Sequence, residues 1–446
     1  MPLHVRRALT RRVLAVVVAL AAAFAVPLAT APPVAAEPAT STAYPTGATG
    51  VRYTGQAFDA CTAPTLDAIR AWGASPYRAL AVYMSGASRT CAQPQLTASW
   101  VTEVSKLKWR LIPIHKGLQP PCGARPTDPK ISLTLSTAAA QGTAAADEAI
   151  AAAKALGMLP GSAFYNDIEF YDPNNTGCRN AVLTYLSAWT KRLHATGYLS
   201  GVYMNLMNGA KNLSDVYTSA SYARPDALWI ARYDGVSSLT GWTNISDSKW
   251  AVHQRGKQYR GGHDETYGGV TINIDTNAWD APVATVAHTY AVKSTTSLNA
   301  RSGPSSTYGI VKSYAPGAPL RIVCQASGQK VGTTWVWDKL SDGTYVSDYY
   351  VSTPSKTTFS APFQRCTYPW QVNSSTGLTM RTGPGTSYAT AGSLPNGALA
   401  YVTCQKGGTK VGTTWVWNKL DNGRWVSDYY VANPSNTTFS KPAPRC

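Results

Sequence analysis

The residues best suited to chemistry lie in one short stretch, GSAFYNDIEFYD at 161–172. The stretch predicts a buried β-strand over 162–170, with Asp167 and Glu169 near its C-terminal end. Side chains alternate across a strand, so these two carboxylates share a face. Adjacent acids on an inward face are costly unless they are paired, hydrogen-bonded or used. Two chemistries use clustered carboxylates. Glycoside hydrolysis needs one protonated acid and one ionised carboxylate, and a hard cation needs several oxygen ligands. The first fits better: Tyr, Trp, Asn and Gln around the pair suit sugar rings, and the sequence has no Asp-rich calcium loop. The bland alternative has Asp167 capping the next helix and Glu169 solvated in the loop DPNNTG at 172–177.

The elements that would position this pair alternate along the chain. Apolar patterning predicts strands over 55–58, 78–84, 109–115, 162–170, 199–205, 227–233, 249–254 and 270–276, and helices over 62–73, 96–107, 138–156, 180–195 and 208–220. The segments 234–248 and 255–269 are rich in Gly, Ser and Asp and read as loops. Alternation of this kind makes an α/β fold with a parallel sheet, here a TIM-like barrel of about eight strands and five helices. Such barrels carry chemistry at the C-terminal ends of their strands. Asp59, Asp167, Glu169 and Asp275 fall there as candidate catalytic acids, with His115, Tyr203, Asn205, Arg232 and Gln254 as candidate substrate-binding residues. Each has a plainer role open to it: Asp234 before Gly235 suits a turn, and His253 a core position. Four acids at one mouth repel one another, which stability alone does not explain.

The chain of 446 residues has room for several domains. Residues 1–36 read as a secretory signal peptide, with four arginines, an apolar run over 13–28 and a small-residue cleavage site at 34–36. The run TRRVL at 10–14 resembles a twin-arginine export signal. Residues 37–50 form a flexible lead-in, 51–280 the barrel and 281–287 a linker. Removing the leader takes the formal charge from +17 to +13, which draws a secreted protein to anionic polymers of a cell wall or surface. No nucleic-acid-binding motif, no transmembrane anchor after the leader, and no metal- or cofactor-binding motif is present in the sequence; no cofactor is expected, and the chain is expected to be a monomer.

After residue 287 the chain repeats itself. RSGP at 301–304 returns as RTGP at 381–384, VGTTWVW at 331–337 returns at 411–417, and VSDYYV at 346–351 returns at 426–431, each offset by 80. Two small all-β modules follow, at 288–366 and 368–446. Eight cysteines in an exported chain predict disulfides. Cys324 and Cys366 recur as Cys404 and Cys446, so the repeat predicts one bridge in each module. Cys61, Cys91, Cys122 and Cys178 follow the first four strands; three pairings are open to them, and neighbouring loops favour Cys61–Cys91 and Cys122–Cys178.

The motifs FDACTAPTLDAIRAW, AAAQGTAAADEAI, FYNDIEFYD, SGVY and LWIARYDG, between residues 54 and 280, resemble the secreted glycoside-hydrolase-like TIM-barrel family first catalogued as a domain of unknown function. More distantly, the D-x-E strand, LWIARY, WAVHQ and GGVTINIDTNAW resemble glycoside hydrolase family 25 lysozymes. That resemblance implies a barrel of eight strands and five helices. It also implies Glu169 as general acid, Asp167 as the carboxylate that positions the substrate, and Asp59 and Asp275 as the other mouth acids. LNARSGPSSTYGIV with GTTWVWDKL, and LTMRTGPGTSYATA with GTTWVWNKL, resemble bacterial SH3-like domains. These imply attachment to cell-wall peptide or glycan. The expected function is cleavage of a cell-wall glycan, peptidoglycan in a lysozyme-like manner; the alternative is a barrel that grips the glycan without cutting it.

Overall fold

A computed structural model describes residues 49–446; the expected leader and nearly all of the lead-in lie outside the described residues. Eight strands close into a barrel: β1 (Val51–Asp59), β2 (Tyr77–Ser85), β3 (Arg110–His115), β4 (Ala163–Ile168), β5 (Leu199–Asn205), β6 (Ala227–Ala231), β7 (Arg255–Tyr267) and β8 (Val270–Val283). Five α-helices lie between them: α1 (Leu66–Ala71), α2 (Ala98–Lys106), α3 (Leu135–Ala155), α4 (Thr176–Ala195) and α5 (Gly209–Asp215). The expected barrel of eight strands and five helices is therefore present. Among the described residues no helix is long and apolar enough to cross a membrane.

Strands β1 to β7 run parallel in sequence order, and β8 runs antiparallel to both β7 and β1. The cause is local. Gly268 and Gly269 take positive φ values of 57° and 80°, a tight two-residue turn that can only return the chain antiparallel. This corrects two expectations. The segment 255–269 is a strand and turn, not a loop, and 249–254 is not a strand. Trp250 and His253 have φ of 45° and 59°, which no strand residue adopts. Arg255 holds that loop in place, its guanidinium donating to the carbonyls of Leu239, Ser246, Lys249 and Trp250.

Strand alternation sorts the core into two layers. Inward residues fill the barrel, among them Ala81, Ile112, Ile114, Tyr165, Trp229 and Trp279. Tyr165 and Trp229 meet the Trp279 ring edge-on at 5.1 and 5.4 Å. Gly201 makes room for them, since a Cβ there would lie 2.4 Å from the Tyr165 ring. Outward residues such as Phe58, Leu80, Leu111, Phe164 and Ile230 pack in the second layer with buried residues of the helices. Helices α3 and α4 touch at Gly142, where a Cβ would sit 2.1 Å from the Tyr185 carbonyl oxygen.

Beyond the barrel, β8 continues through the first three residues of the expected linker, to Val283. Strands β9 (His288–Ala291), β10 (Leu298–Arg301), β11 (Ile310–Tyr314), β12 (Pro319–Val331), β13 (Thr334–Leu340) and β14 (Tyr345–Ser347) form one sheet in the order β11-β10-β14-β13-β12-β9. Strands β15 (Tyr368–Val372), β16 (Leu378–Arg381), β17 (Thr390–Leu394), β18 (Leu399–Val411), β19 (Thr414–Leu420), β20 (Trp425–Ser427) and β21 (Val431–Ala432) form the second, β17-β16-β20-β19-β18-β15-β21. Each is a curled, all-antiparallel half-barrel consistent with a small SH3-like barrel. Trp337 and Trp417 are buried, whereas Trp335 and Trp415 are exposed. The four disulfides are Cys61–Cys91, Cys122–Cys178, Cys324–Cys366 and Cys404–Cys446, the pairing that the loops and the repeat predict.

Candidate active site

Alternation carries the inner layer of the barrel up to its C-terminal mouth. Below it, Trp229 and Trp279 make an aromatic floor. Above it, the inward positions become Asp59 on β1, Tyr83 on β2, Lys116 after β3, Asp167 and Glu169 on and after β4, Tyr203 on β5, Tyr233 after β6, Gln258 on β7, and Asp275 and Asn277 on β8. Asp59, Tyr83, Lys116 and Asp275 line a cavity of about 180 Å³, rimmed by the Cys61–Cys91 bridge. A larger groove of about 450 Å³ lies on the outer, helical side beside α3 and α4, and no carboxylate lines it.

The four candidate acids sort into two pairs. On one side, Lys116 Nζ donates to Asp167 Oδ2 at 2.8 Å and also to Glu169 Oε1. Burial works against the Lys116 charge, but the two carboxylates outweigh it and hold its pKa above the ordinary lysine value. Burial pushes Asp167 up to about 6 against the pull of Lys116. Gln119 fixes this strand end: its Oε1 accepts from the Glu169 backbone N–H at 3.0 Å, and its Nε2 donates to the Asp167 carbonyl at 2.8 Å.

On the other side, Asp59 and Asp275 are directly opposed on the antiparallel pair of β1 and β8. Side-chain amides donate to both carboxyls, and the Gly262 backbone N–H and His263 act on Asp275 as well. Gln258 Nε2 lies 3.0 Å from Asp59 Oδ1, 3.1 Å from Asp59 Oδ2 and 3.0 Å from Asp275 Oδ2. Asn277 Nδ2 donates to Asp59 Oδ1 at 2.7 Å. Both amides are oriented from behind. Tyr203 and Tyr233 hydroxyls donate to Gln258 Oε1 at 2.7 and 2.8 Å, and Trp229 Nε1 donates to Asn277 Oδ1 at 2.7 Å. Burial, then the neighbouring Asp275, push Asp59 up to about 7. Burial also raises Asp275.

Of the expected substrate-binding residues, Tyr203 reaches the mouth and Asn205 ends its strand there, with Oδ1 accepting from the Met207 N–H at 2.9 Å. The others do not face it. His115 points outward, its Nδ1 2.9 Å from Ser85 Oγ and its ring 5.3 Å from that of Trp189 on α4. Burial lowers its pKa to about 4. Arg232 is tied to Asp234 at 2.7 Å in the loop after β6. Gln254 precedes β7, at the opposite end of the barrel, and donates to the Asp226 carbonyl at 2.7 Å. His253 lies at that end too, with Nδ1 2.7 Å from Asp280. The residues that sequence reasoning passed over are Lys116, Gln119, Gln258 and Asn277, together with Tyr83 and Tyr233. Alternation from Ile112 and Ile114 pointed to Lys116 rather than His115. Gln258 lay in a segment read as loop.

The arrangement pairs a cation-neutralised carboxylate pair with an amide-lined pair inside a partly enclosed polar mouth, which suits acid/base chemistry on an uncharged, oxygen-rich substrate. In comparisons with known proteins, "Putative N-acetylmuramoyl-L-alanine amidase YrvJ" of Bacillus subtilis (strain 168) is 28% identical over 159 residues, 35% of this chain and 28% of that protein. The chain thus spans less than a third of that curated relative's length. Similar solved structures include the Tat-secreted protein Rv2525c of Mycobacterium tuberculosis in complex with L-tartrate, 18% identical, covering 51% of this chain and 96% of that one with a TM-score of 0.35. Another is a muramidase from Acremonium alcalophilum, 18% identical, covering 51% and 93% with a TM-score of 0.31. Residues 70–279, running from α1 through most of β8, match the family model described as Rv2525c-like, glycoside hydrolase-like domain.

Proposed function

We propose that the mature chain is a secreted glycoside hydrolase that cleaves a cell-wall glycan, the peptidoglycan strand at its β-1,4 bonds, by carboxylate acid/base catalysis, while the two SH3-like modules hold it to the wall. The observation that carries this reading is the convergence of Asp59, Asp167, Glu169 and Asp275 on one mouth, at least two of them titrating near neutrality, at about 7 for Asp59 and about 6 for Asp167. Acids in that range can exchange a proton at working pH. Four disulfides and a basic mature chain fit work outside the cell on an anionic polymer. The match to a glycoside hydrolase-like family model, and a curated relative named a putative N-acetylmuramoyl-L-alanine amidase, support a cell-wall substrate, although the relative's name is for an amide bond rather than a glycosidic one.

The second reading is a barrel that binds glycan without cutting it. The contact of Lys116 with both Asp167 and Glu169 favours it, because a carboxylate paired with a lysine is a poor proton donor. Incubating the secreted chain with purified cell walls and assaying new reducing ends separates the two. Hydrolysis predicts reducing ends from the wild type and a loss of roughly 10²–10⁴-fold in Glu169→Gln, the usual worth of such a group. Wild-type binding to walls with no reducing ends at any pH would leave the binding reading standing.

A further inference from the structure

The charge of the mature chain is unevenly placed. Eight basic and three acidic residues fall in 288–366, seven and two in 368–446, so the two modules carry +10 of the +13 and the rest of the chain only +3. None of the five module acids offsets this at the surface. Asp338, Asp348 and Asp428 are buried, Asp342 is paired with Lys312, and Asp421 with Arg52 of β1. Within this basic surface the repeat keeps one exposed trio. Trp335, Phe359 and Arg365 return as Trp415, Phe439 and Arg445, while the buried Asp338 and Tyr345 become Asn418 and Trp425. Trp335 is 47% exposed and Trp415 43%, so core packing does not account for them. Trp415 and Phe439 meet edge-on at 4.9 Å. The Arg445 guanidinium lies over the Phe439 ring at 4.0 Å, and that of Arg365 over Phe359 at 4.6 Å. Among the described residues neither guanidinium has a hydrogen-bond or carboxylate partner. Stacking fixes the plane of each and leaves its edge of N–H donors free.

Resting on the reading of the modules as wall attachments, we infer that these trios are two copies of one binding site, and that their occupant is a phosphodiester-linked polymer of the wall rather than the peptidoglycan strand. The free edge of a stacked guanidinium matches two oxygens of one phosphate. The Trp and Phe rings beside it take the apolar faces of the sugar or polyol units between phosphates. Charge decides between the two polymers. A phosphodiester chain is fully negative at every repeat, which complements modules of +10, whereas the sugar backbone of peptidoglycan is uncharged and suits the nearly balanced barrel. The modules also fix the distance between the two sites. The Arg445 backbone N–H donates to the Tyr308 hydroxyl at 3.3 Å, and Lys339 Nζ to the Tyr368 hydroxyl at 3.3 Å. Two like sites held at one separation suit a ligand that repeats, and engaging both on one polymer binds it more tightly than either site alone.

The test measures binding of the secreted chain to purified Gram-positive cell walls, to the same walls stripped of phosphodiester polymers with cold hydrofluoric acid, and to soluble poly(glycerol phosphate). Intact walls and poly(glycerol phosphate) should bind, and stripped walls should bind about 10-fold more weakly or less, the worth of one charge-assisted contact. Arg365→Gln with Arg445→Gln should weaken binding by about 10²-fold, because it removes one such contact from each site. Trp335→Ala with Trp415→Ala should weaken it as well, with no change of charge. Arg321→Gln with Arg424→Gln removes the same charge beside the turns at the other ends of β13 and β19 and should cost little. An equal loss in that pair, or equally tight binding of polyglutamate, would show attraction by net charge alone and overturn the site. Stripped walls that bind as well as intact ones overturn the phosphodiester ligand and leave wall attachment standing. Failure to bind either kind of wall overturns the wall-attachment reading, and the inference with it.

Discussion

Lys116 is the residue on which the mouth's charge balance turns. Its side chain is 8% exposed and that of Asp167 4%, so removing the cation strands a carboxylate away from water. Breaking a buried pair from one side costs about 3–5 kcal/mol. The cost depends on pH in a definite direction. The folded-state pKa of Asp167 is already raised, to about 6, so the folded chain binds protons more readily than the unfolded one between the ordinary value and that point. Stability therefore falls as pH rises through that window, and loss of Lys116 widens it. Urea unfolding should show Lys116→Met destabilised by about 3 kcal/mol at pH 8 and by much less at pH 4. An equal penalty at both pH values would mean that Lys116 contributes packing alone. The same residue shows what a sequence conveys at this scale. The D-x-E pair and the flanking acids are legible because carboxylates are rare on inward faces. Lys116 was legible from the period of β3, but His115, one position earlier, is the more familiar chemical type. Gln258 and Asn277 have no such signal: an amide becomes part of a site only through the partners that orient it.

Elements were legible where one period dominated. Strands β2 to β6 are buried on both faces or nearly so, and their apolar runs announce them. The hairpin of β7 and β8 was hidden because, past Tyr259, its residues alternate between exposed and half-buried positions, which in sequence resembles a polar loop. The paired modules give a sharper lesson, since the repeat holds the fold constant while residues change. Gln325 Nε2 donates to Asp338 Oδ1 at 2.8 Å and Asp348 Oδ1 at 3.2 Å. In the second module Gln405 Nε2 donates to Asn418 Oδ1 at 2.7 Å and Asp428 Oδ1 at 3.0 Å, and Asn418 itself donates to Asp428 at 2.9 Å. One buried carboxyl of the first module is thus an amide in the second. Burial, then Asp348, hold the Asp338 pKa well above the ordinary value. Its folded form keeps a proton that the unfolded form has lost, so stability falls as pH rises above the ordinary aspartate range. Asp338→Asn copies the second module and removes the Asp338 part of that slope, while burial still raises Asp348, as it raises Asp428 to about 7 beside Asn418. It should raise the stability of the first module by about 1–2 kcal/mol at pH 8, the scale of an unsatisfied buried polar group, and leave it unchanged at pH 4. Chemical denaturation at the two pH values measures this, and destabilisation at pH 8 would show that the carboxyl proton is not the difference between the repeats.

At the scale of the whole molecule, the second module is not a loose tether. It lies against the N-terminal end of the barrel, opposite the mouth. Arg52 of β1 pairs with Asp421 at 2.7 Å and stacks over the Tyr401 ring at 5.2 Å; Tyr217 donates to the Asn396 carbonyl at 3.2 Å, and Thr367 to the Gly50 carbonyl at 2.7 Å. One apolar cluster runs from the barrel interior, through Val51, Tyr165 and Val283, into Tyr368, Trp370, Ala400 and Val402 of the module. A shared core couples the folding of its parts, because uncovering either side exposes apolar surface at about 25 cal/mol per Å². The barrel and second module should therefore unfold together. Trp370 is 1% exposed, and truncating a buried tryptophan costs about 3–5 kcal/mol. In Trp370→Ala, calorimetry should show the barrel's own transition lowered, and amides of β1 and β8 should exchange with solvent faster, although neither strand belongs to the module. A barrel transition that stays in place while a separate module transition falls would mean that the two cores are independent. In that case the attachment at the barrel's base would be a contact between finished domains rather than part of what closes the barrel.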